Sequence, residues 1–492
     1  MRRRAGLAML VLCVAAAAGC AHYPLNTRLT APSGSGGYRF PQMAVDRPDP
    51  ADELFVCLSF SGGGTRAAAF AHGALLRLRN TDIGRGRSLL DEVDCIAGIS
   101  GGAFMAAYYG LFGQAGLDTF YDRFLERDIQ VELARRVANP VNLVRLASPY
   151  FSRIDLAAEL YDETVFEHRT FADLAARPRP FVILHATSMA TGAPFEFTQA
   201  EFDFLGSDLG PFPVARAVAA SSAFPFLLSP VSLRSFDTPG GYTVPDDVTD
   251  GLEERELNPG RYYWAVQHVD LMTRDPRTPG ARTPAATAPA EKWVHLLDGG
   301  LADNIGLRSI LRAYDRTSGF LRQRINAGHI KRFVLIAVNA RTDPPETLSR
   351  REASPGIVDV FMKTATVSME TVSFDTIEHA LQRQSEREQA QTNIRRCNEQ
   401  LATCGAPPFG GLARDIRTCF IHIDFEGLPS PAREELLAYP TTFSLSEEQL
   451  RRLREAAGAL LDASESFQQL VRVLRGEPSV GAGLDGVRGN CS

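Results

Sequence analysis

A chain of 492 residues with 45 % hydrophobic and 22 % charged side chains has enough apolar material for a substantial core and is not a disordered or low-complexity polymer. Its formal net charge of −6 offers no long-range attraction to phosphate, which argues against nucleic acid as a partner. Beyond the N-terminus no run is long and apolar enough to cross a bilayer.

The N-terminus reads as an export signal. Arg2-Arg3-Arg4 precedes an apolar stretch from Ala5 to Ala18 that is too short for a membrane span, and small residues lead to Gly19-Cys20. Ala17-Ala18-Gly19-Cys20 resembles a bacterial lipobox, which implies that residues 1–19 are removed and that Cys20 is acylated. By the same resemblance, Ala21 after the cysteine favours the outer membrane of a Gram-negative bacterium. Removal of three arginines and no acid makes the mature chain more negative still, so any membrane contact is expected to be anchor-driven or apolar. Residues 20–50, rich in Pro, Gly and Ser, read as a flexible tether.

Phe55–Phe60 is a short apolar run that predicts a buried strand. It leads into Ser61-Gly62-Gly63-Gly64-Thr65-Arg66, after which Ala67, Phe70, Ala71, Ala74, Leu75 and Leu78 recur at helical spacing. Strand, glycine loop and helix start together leave unshielded N–H groups beside a positive helix end, which suits a phosphate or an oxyanion. No G-K-[ST] follows, and a dinucleotide fingerprint fits only as Gly62 to Ala67 with no other nucleotide signal. The next strand, 93–98, runs into Gly98-Ile99-Ser100-Gly101-Gly102, a G-x-S-x-G turn that would lift the serine hydroxyl out of the backbone as a nucleophile.

Further strands are predicted at 181–185, 293–297, 333–338 and 419–425, alternating with helical patterns; this predicts an α/β fold with a mainly parallel sheet covered on both faces. The 293–297 strand ends in Asp298-Gly299-Gly300, a carboxylate at a strand's C-terminal end. Residues 273–290 read as an insertion just before it, a surface loop or a flap. Residues 355–385 carry apolar side chains at near-helical spacing that suit core packing, with a lid or a membrane-contact helix as the alternatives. Ser446-x-x-Gln449 caps one long helix, with Leu450, Leu453, Ala457, Leu460, Phe467, Leu470 and Leu474 on its packing face against the sheet's C-terminal flank. Cys57 and Cys95 read as buried thiols, Cys397 with Cys404 as a candidate disulfide, and Cys419 with Cys491 as the next candidate pair. No cysteine has metal-ligand spacing with histidine, so neither a metal nor a cofactor is expected.

In this order the three segments resemble the patatin-like phospholipase family, which shares its catalytic core with cytosolic phospholipase A2. Gly62 to Ala67 stands where that family has its glycine-rich oxyanion loop, Gly98 to Gly102 where it has the nucleophile elbow, and Asp298-Gly299-Gly300 where it has the aspartate. Ala220 to Pro225 looks like its A-S-x-A-x-P stretch. Ala67 in place of a glycine and Ile305-Gly306 in place of a proline are departures. The resemblance implies a three-layer α/β/α sandwich with a C-terminal helical elaboration, the catalytic domain spanning 51–345 and an extension 346–492 packing on it. It implies a Ser100–Asp298 dyad that cleaves fatty-acyl esters of phospholipids or related lipids. N–H groups of Gly62, Gly63 and Gly64 would form the oxyanion hole, with Gly98, Gly102, Gly299 and Gly300 in support and Arg66 holding the loop or attracting a headgroup. A histidine-dependent triad is the competing arrangement, but His72, His329, His379 and His422 all lie in helix, strand or pre-strand context. A silent lipid-binding or scaffolding lipoprotein on the same fold is the reading from another class; both dyad residues are retained, which favours the enzyme.

Overall fold

The computed structural model describes residues 21–40, 53–177, 179–272, 292–315, 320–343, 352–407, 416–477 and 491. The expected signal peptide, Cys20, the 41–50 part of the tether and the 273–290 insertion fall outside them. In chain order the described elements that matter here are β1 (Thr27–Arg28), β2 (Leu54–Phe60), α1 (Gly64–Arg79), β3 (Val93–Gly98), α2 (Gly101–Phe120), α3 (Arg153–Tyr161), β4 (Phe181–Ser188) and β5 (Pro194–Glu196). They continue with β6 (Ser207–Asp208), α4 (Val214–Ser221), β7 (Val231–Ser235), β8 (Lys292–Asp298), α5 (Leu307–Asp315), β9 (Arg332–Val338), α6 (Ile357–Thr403), β10 (Arg417–Ile423), α7 (Glu447–Ala463) and α8 (Glu465–Leu474).

The central sheet runs β10-β9-β2-β3-β4-β8-β7, with β5 also on β4. Its first five strands are parallel; β8 runs antiparallel to β4, and β7 antiparallel to β8, so that β8 alone in this path is reversed. The sequence explains the division. β2 and β9 are near-continuous apolar runs, buried along almost their whole length as interior parallel strands must be, whereas β7 alternates buried and half-buried residues as an edge strand does. The chain moves from β2 through β3 to β4 in one direction and from β9 to β10 in the other. Right-handed crossovers therefore place α1 and α2 on one face and α6 on the opposite one. α4 and α7 pack with α1 and α2, and α5 packs with α6, completing three layers.

Several expectations are corrected. Cys57 and Cys95 form a disulfide; they are register partners on adjacent strands, a pairing that depends on β2–β3 alignment and not on spacing in the chain. Cys419 pairs with Cys491 as expected. Cys397 and Cys404 are free and exposed. Seven residues of helix separate them by about 10 Å along the axis, beyond the reach of a disulfide. The single long C-terminal helix is two, broken at Ser464, whose hydroxyl caps α8 by accepting the Phe467 N–H. α7 packs chiefly on α1, where the absent side chain of Gly73 lets the Arg454 backbone approach. The 346–492 extension does more than pack on the domain, since it supplies β10 to the sheet.

Residues 21–40 do not behave as a tether. Asn26 Nδ2 donates to Ser207 Oγ at 2.8 Å, β1 pairs with β6, and Tyr38 is fully buried with its hydroxyl donating to the Val182 carbonyl at 3.0 Å. Polar composition suggested a linker, but single aromatic and amide side chains seat this segment on the body.

Candidate active site

β2 and β3 end side by side, with Phe60 paired to Gly98. One strand opens into the glycine loop and the other into the serine turn, so the two motifs meet at the carboxyl edge of the sheet. Ser100 adopts φ 47°, ψ −116°, a conformation strained for a residue with a side chain, and α2 begins at the next residue. The Ile99 N–H donates to the Phe60 carbonyl at 3.1 Å and the Ser100 N–H to Ser221 Oγ at 2.9 Å, so the strained turn is held from both sides.

Asp298 reaches this edge by a different route. β8 runs antiparallel to β4, and its last residue pairs with Ala186, two residues past Leu184, the partner of Gly98. Two residues past Gly98 is Ser100, so register brings serine and aspartate level. The reason differs from the expected one: the aspartate sits at the end of an antiparallel strand, not of a parallel one. Its backbone N–H donates to the Ala223 carbonyl at 3.0 Å, and the Gly299 N–H to the Ser221 carbonyl at 3.1 Å. The Ala220–Pro225 stretch is thus a clamp that holds the serine turn with one side chain and the aspartate turn with two carbonyls.

The Asp298 carboxylate is buried and accepts the Gly300 N–H at 2.8 Å, and the adjacent Ser100 hydroxyl is a group that can donate to it. Burial pushes its pKa up to about 7, against these two donors, which favour the ionised form. A carboxylate poised near neutrality beside a hydroxyl is equipped to take its proton. If it does so, esterase activity should rise with pH as a single ionisation near 7 and stay level above it, a profile read from kcat/KM against pH.

The glycine loop lies directly on the serine turn. A Cβ on Gly101 would overlap the Gly64 carbonyl oxygen and stand 2.8 Å from its nitrogen. Gly64, at φ 62°, is pressed against Thr442, whose carbonyl accepts the Thr65 N–H at 2.9 Å. Among the described residues the N–H groups of Gly63 and Gly64 have no backbone acceptor; Gly63 is the N-cap of α1 and Gly64 its first residue. The Gly62 N–H is different: it donates to the Asn304 carbonyl at 3.0 Å and is not free for an oxyanion, which corrects the expectation for that residue.

Arg66 is buried under the loop. Its Nε donates to the Ala340 carbonyl and its Nη1 to the Tyr439 carbonyl, both at 2.9 Å, and burial lowers its pKa to about 9, still cationic at neutral pH. It supports the loop and is not laid open to a headgroup. Gly98, Gly102, Gly299 and Gly300 all lie within the serine and aspartate turns.

Four contributors escape motif reading. Thr442 and Tyr439, from the extension, brace the loop. Met369 of α6 packs against Gly300. Asn304 places its Oδ1 beside Gly62 and 2.8 Å from where a Cβ of Gly300 would stand, with Asp298 Oδ1 3.1 Å from that same point. This Oδ1 is buried and finds no hydrogen-bond partner among the described residues. The Asn304 amide can be turned so that nitrogen replaces oxygen there, which would aim a donor into the site. Among the described residues no histidine hydrogen-bonds to Ser100 or Asp298: His72 Nε2 meets the Leu117 carbonyl at 2.8 Å with a pKa lowered to about 4 by burial, and His185, which packs against the Gly299 turn, has its Nε2 on Ser309 Oγ at 2.6 Å. No group of metal-ligating side chains occurs among the described residues.

Fold and site together define a protein of patatin type. The model of the patatin-like phospholipase family matches residues 58–311, and the chain belongs to that family of lipid acyl hydrolases. No curated protein matches the chain significantly. Among solved structures, human GIVD cytosolic phospholipase A2 aligns at 15 % identity and TM-score 0.44, over 88 % of this chain and 64 % of that one. The same human enzyme in complex with methyl γ-linolenyl fluorophosphonate aligns at 15 % identity and TM-score 0.40, over 89 % and 62 %. VipD from Legionella pneumophila aligns at 11 % identity and TM-score 0.26, over 84 % and 67 %. The chain thus spans less than two thirds of the human enzyme's length.

Proposed function

We propose that this protein is a serine acyl hydrolase that cleaves fatty-acyl esters of phospholipids or related lipids through a Ser100–Asp298 dyad. The observation that carries the reading is the Ser100 hydroxyl on a strained elbow against a buried carboxylate with a pKa near 7. Asp298 takes the hydroxyl proton as Ser100 Oγ attacks the ester carbonyl, and the N–H groups of Gly63 and Gly64 hold the resulting oxyanion. Collapse returns the proton to the leaving alkoxide, and water then enters by the same steps to release the fatty acid and free the serine. We further propose that the chain is exported and anchored through acylated Cys20 to the outer membrane of a Gram-negative bacterium, a reading supported by residues 1–21.

The direct test is a fluorophosphonate probe, which phosphonylates activated serines. The purified protein should label within minutes; absence of labelling in detergent and on added membranes would overturn the reading in favour of a silent protein on this fold. Asn304 supplies a finer test. Asn304→Ala should lower kcat about tenfold with little change in KM, because its amide flanks the reacting centre and its Oδ1 bonds no other described residue. Thermal stability should be nearly unchanged, since no hydrogen bond of that Oδ1 is lost; an unaltered kcat would remove Asn304 from the machinery.

A further inference from the structure

We infer that the face around the mouth of this site docks on a lipid bilayer through exposed apolar side chains, and that it lies on the same side of the molecule as the N-terminal anchor point. The inference rests on the lipid-hydrolase reading above and specifies how that site meets its substrate.

Two elements bring apolar residues to the mouth. Phe226 and Leu227, more than half exposed, follow by three and four residues the Ala223 carbonyl that holds the Asp298 backbone. On α6, Ile357 is 87 % exposed and Val360 and Phe361 about half exposed, and the Phe226 and Phe361 rings stand 6.4 Å apart, so the two clusters form one patch. Eight residues along the same helix, about 12 Å, Met369 packs against Gly300 beside the dyad. The patch therefore borders the site that would receive an acyl chain. Large apolar side chains held in water beside such an opening are costly unless something apolar covers them.

The path of the N-terminal segment favours a bilayer as the occupant. Ala21, the residue after Cys20, accepts a hydrogen bond from Ser148 Oγ at 2.6 Å; the Tyr23 N–H donates to the Tyr150 carbonyl at 2.8 Å, and His22 stacks on the exposed Tyr150 ring. Arg153, at most about 18 Å of chain from Ser148, donates from Nη2 to the Phe226 carbonyl at 3.1 Å. The point from which an acylated Cys20 would leave the body is thus tied to the patch through one short segment. Seated residues 21–40 leave little slack, so acyl chains at that point and the site mouth would meet one leaflet together. With a net negative chain, the attraction is apolar and should be indifferent to salt.

The test uses the mature chain, residues 20–492, carrying Cys20→Ser, so that neither the apolar signal nor an acyl anchor contributes, sedimented with phosphatidylcholine vesicles at low and high salt. Its partition should be the same at both salt levels. Phe226→Ser with Leu227→Ser, and separately Val360→Ser with Phe361→Ser, should each weaken it at least tenfold, while Leu257→Ser, exposed elsewhere, changes nothing. Turnover of a monomeric short-chain ester should stay within twofold in all of them. Unchanged partition in both double variants would overturn the inference. So would a parent protein that ignores vesicles and instead forms a dimer that these variants dissociate, which would make a second copy the occupant. A parent protein that binds vesicles through this patch but turns over no ester would leave docking standing and sink the hydrolase reading instead.

Discussion

Ser100→Ala should abolish fluorophosphonate labelling and lower ester turnover by about 10⁴-fold or more, the scale seen when a covalent nucleophile is removed. Asp298→Asn should cost about 10³-fold: the amide can still accept the Gly300 N–H and fill the same space, but it cannot take the serine proton. The two variants should separate in stability. An aspartate raised to about 7 in the native state and near 3.8 when unfolded binds more protons folded than unfolded between those values, so wild-type stability falls as pH rises through that window. The uncharged amide of the variant has no such dependence. Melting curves at pH 5 and pH 8 should therefore show the Asp298→Asn variant gaining on the wild type at the higher pH while remaining inactive. A variant that kept full activity would show that another group serves as base, and one whose stability tracked the wild type at both pH values would mean that the carboxylate is not held in this desolvated state.

What could be read from the chain, and what could not, divides along physical lines. The serine turn and the glycine loop were legible because each is a local device: an apolar strand, a glycine-rich break and a helix start, all within a dozen residues. Asp298 was legible as a strand end, yet the antiparallel direction that brings it level with Ser100 is a property of strand pairing. The Cys57–Cys95 bond was hidden for the same reason, since it follows from register between β2 and β3. Gly62 illustrates a subtler limit. Three consecutive glycines suggested three equivalent donors, but one N–H is consumed by the carbonyl of Asn304, some 240 residues away. Thr442 and Tyr439 were invisible because they brace the loop through their carbonyls, which any residue could offer. The seating of residues 21–40 was missed because composition averages over a segment, whereas Tyr23, Asn26 and Tyr38 act singly.

Gly101→Ala, a change of one methyl group outside the dyad, should be nearly as damaging as loss of the aspartate. The added carbon would occupy the space of the Gly64 carbonyl oxygen, so one backbone must move. Neither is free to. The Gly64 side is fixed by Thr442 and by Arg66, whose guanidinium is buried between two carbonyls; the Gly101 side is fixed by the Ser100 N–H on Ser221 and by the start of α2. Relief must come from displacing the loop, which moves the N–H groups of Gly63 and Gly64 away from the reacting carbonyl. Loss of a single oxyanion donor costs about 10²–10³-fold, and displacement of the pair should reach the upper end of that range. The strained packing should also lower stability by about 3 kcal/mol. Gly260→Ala, where an added Cβ meets only Asn258 Oδ1 at 3.8 Å, should stay within about 0.5 kcal/mol of the parent and keep full activity. Thermal unfolding and the rate of probe labelling, measured on both variants, check the pair. Normal labelling in Gly101→Ala would mean that loop and elbow are not stacked backbone on backbone, and the oxyanion assignment to Gly63 and Gly64 would fall with it.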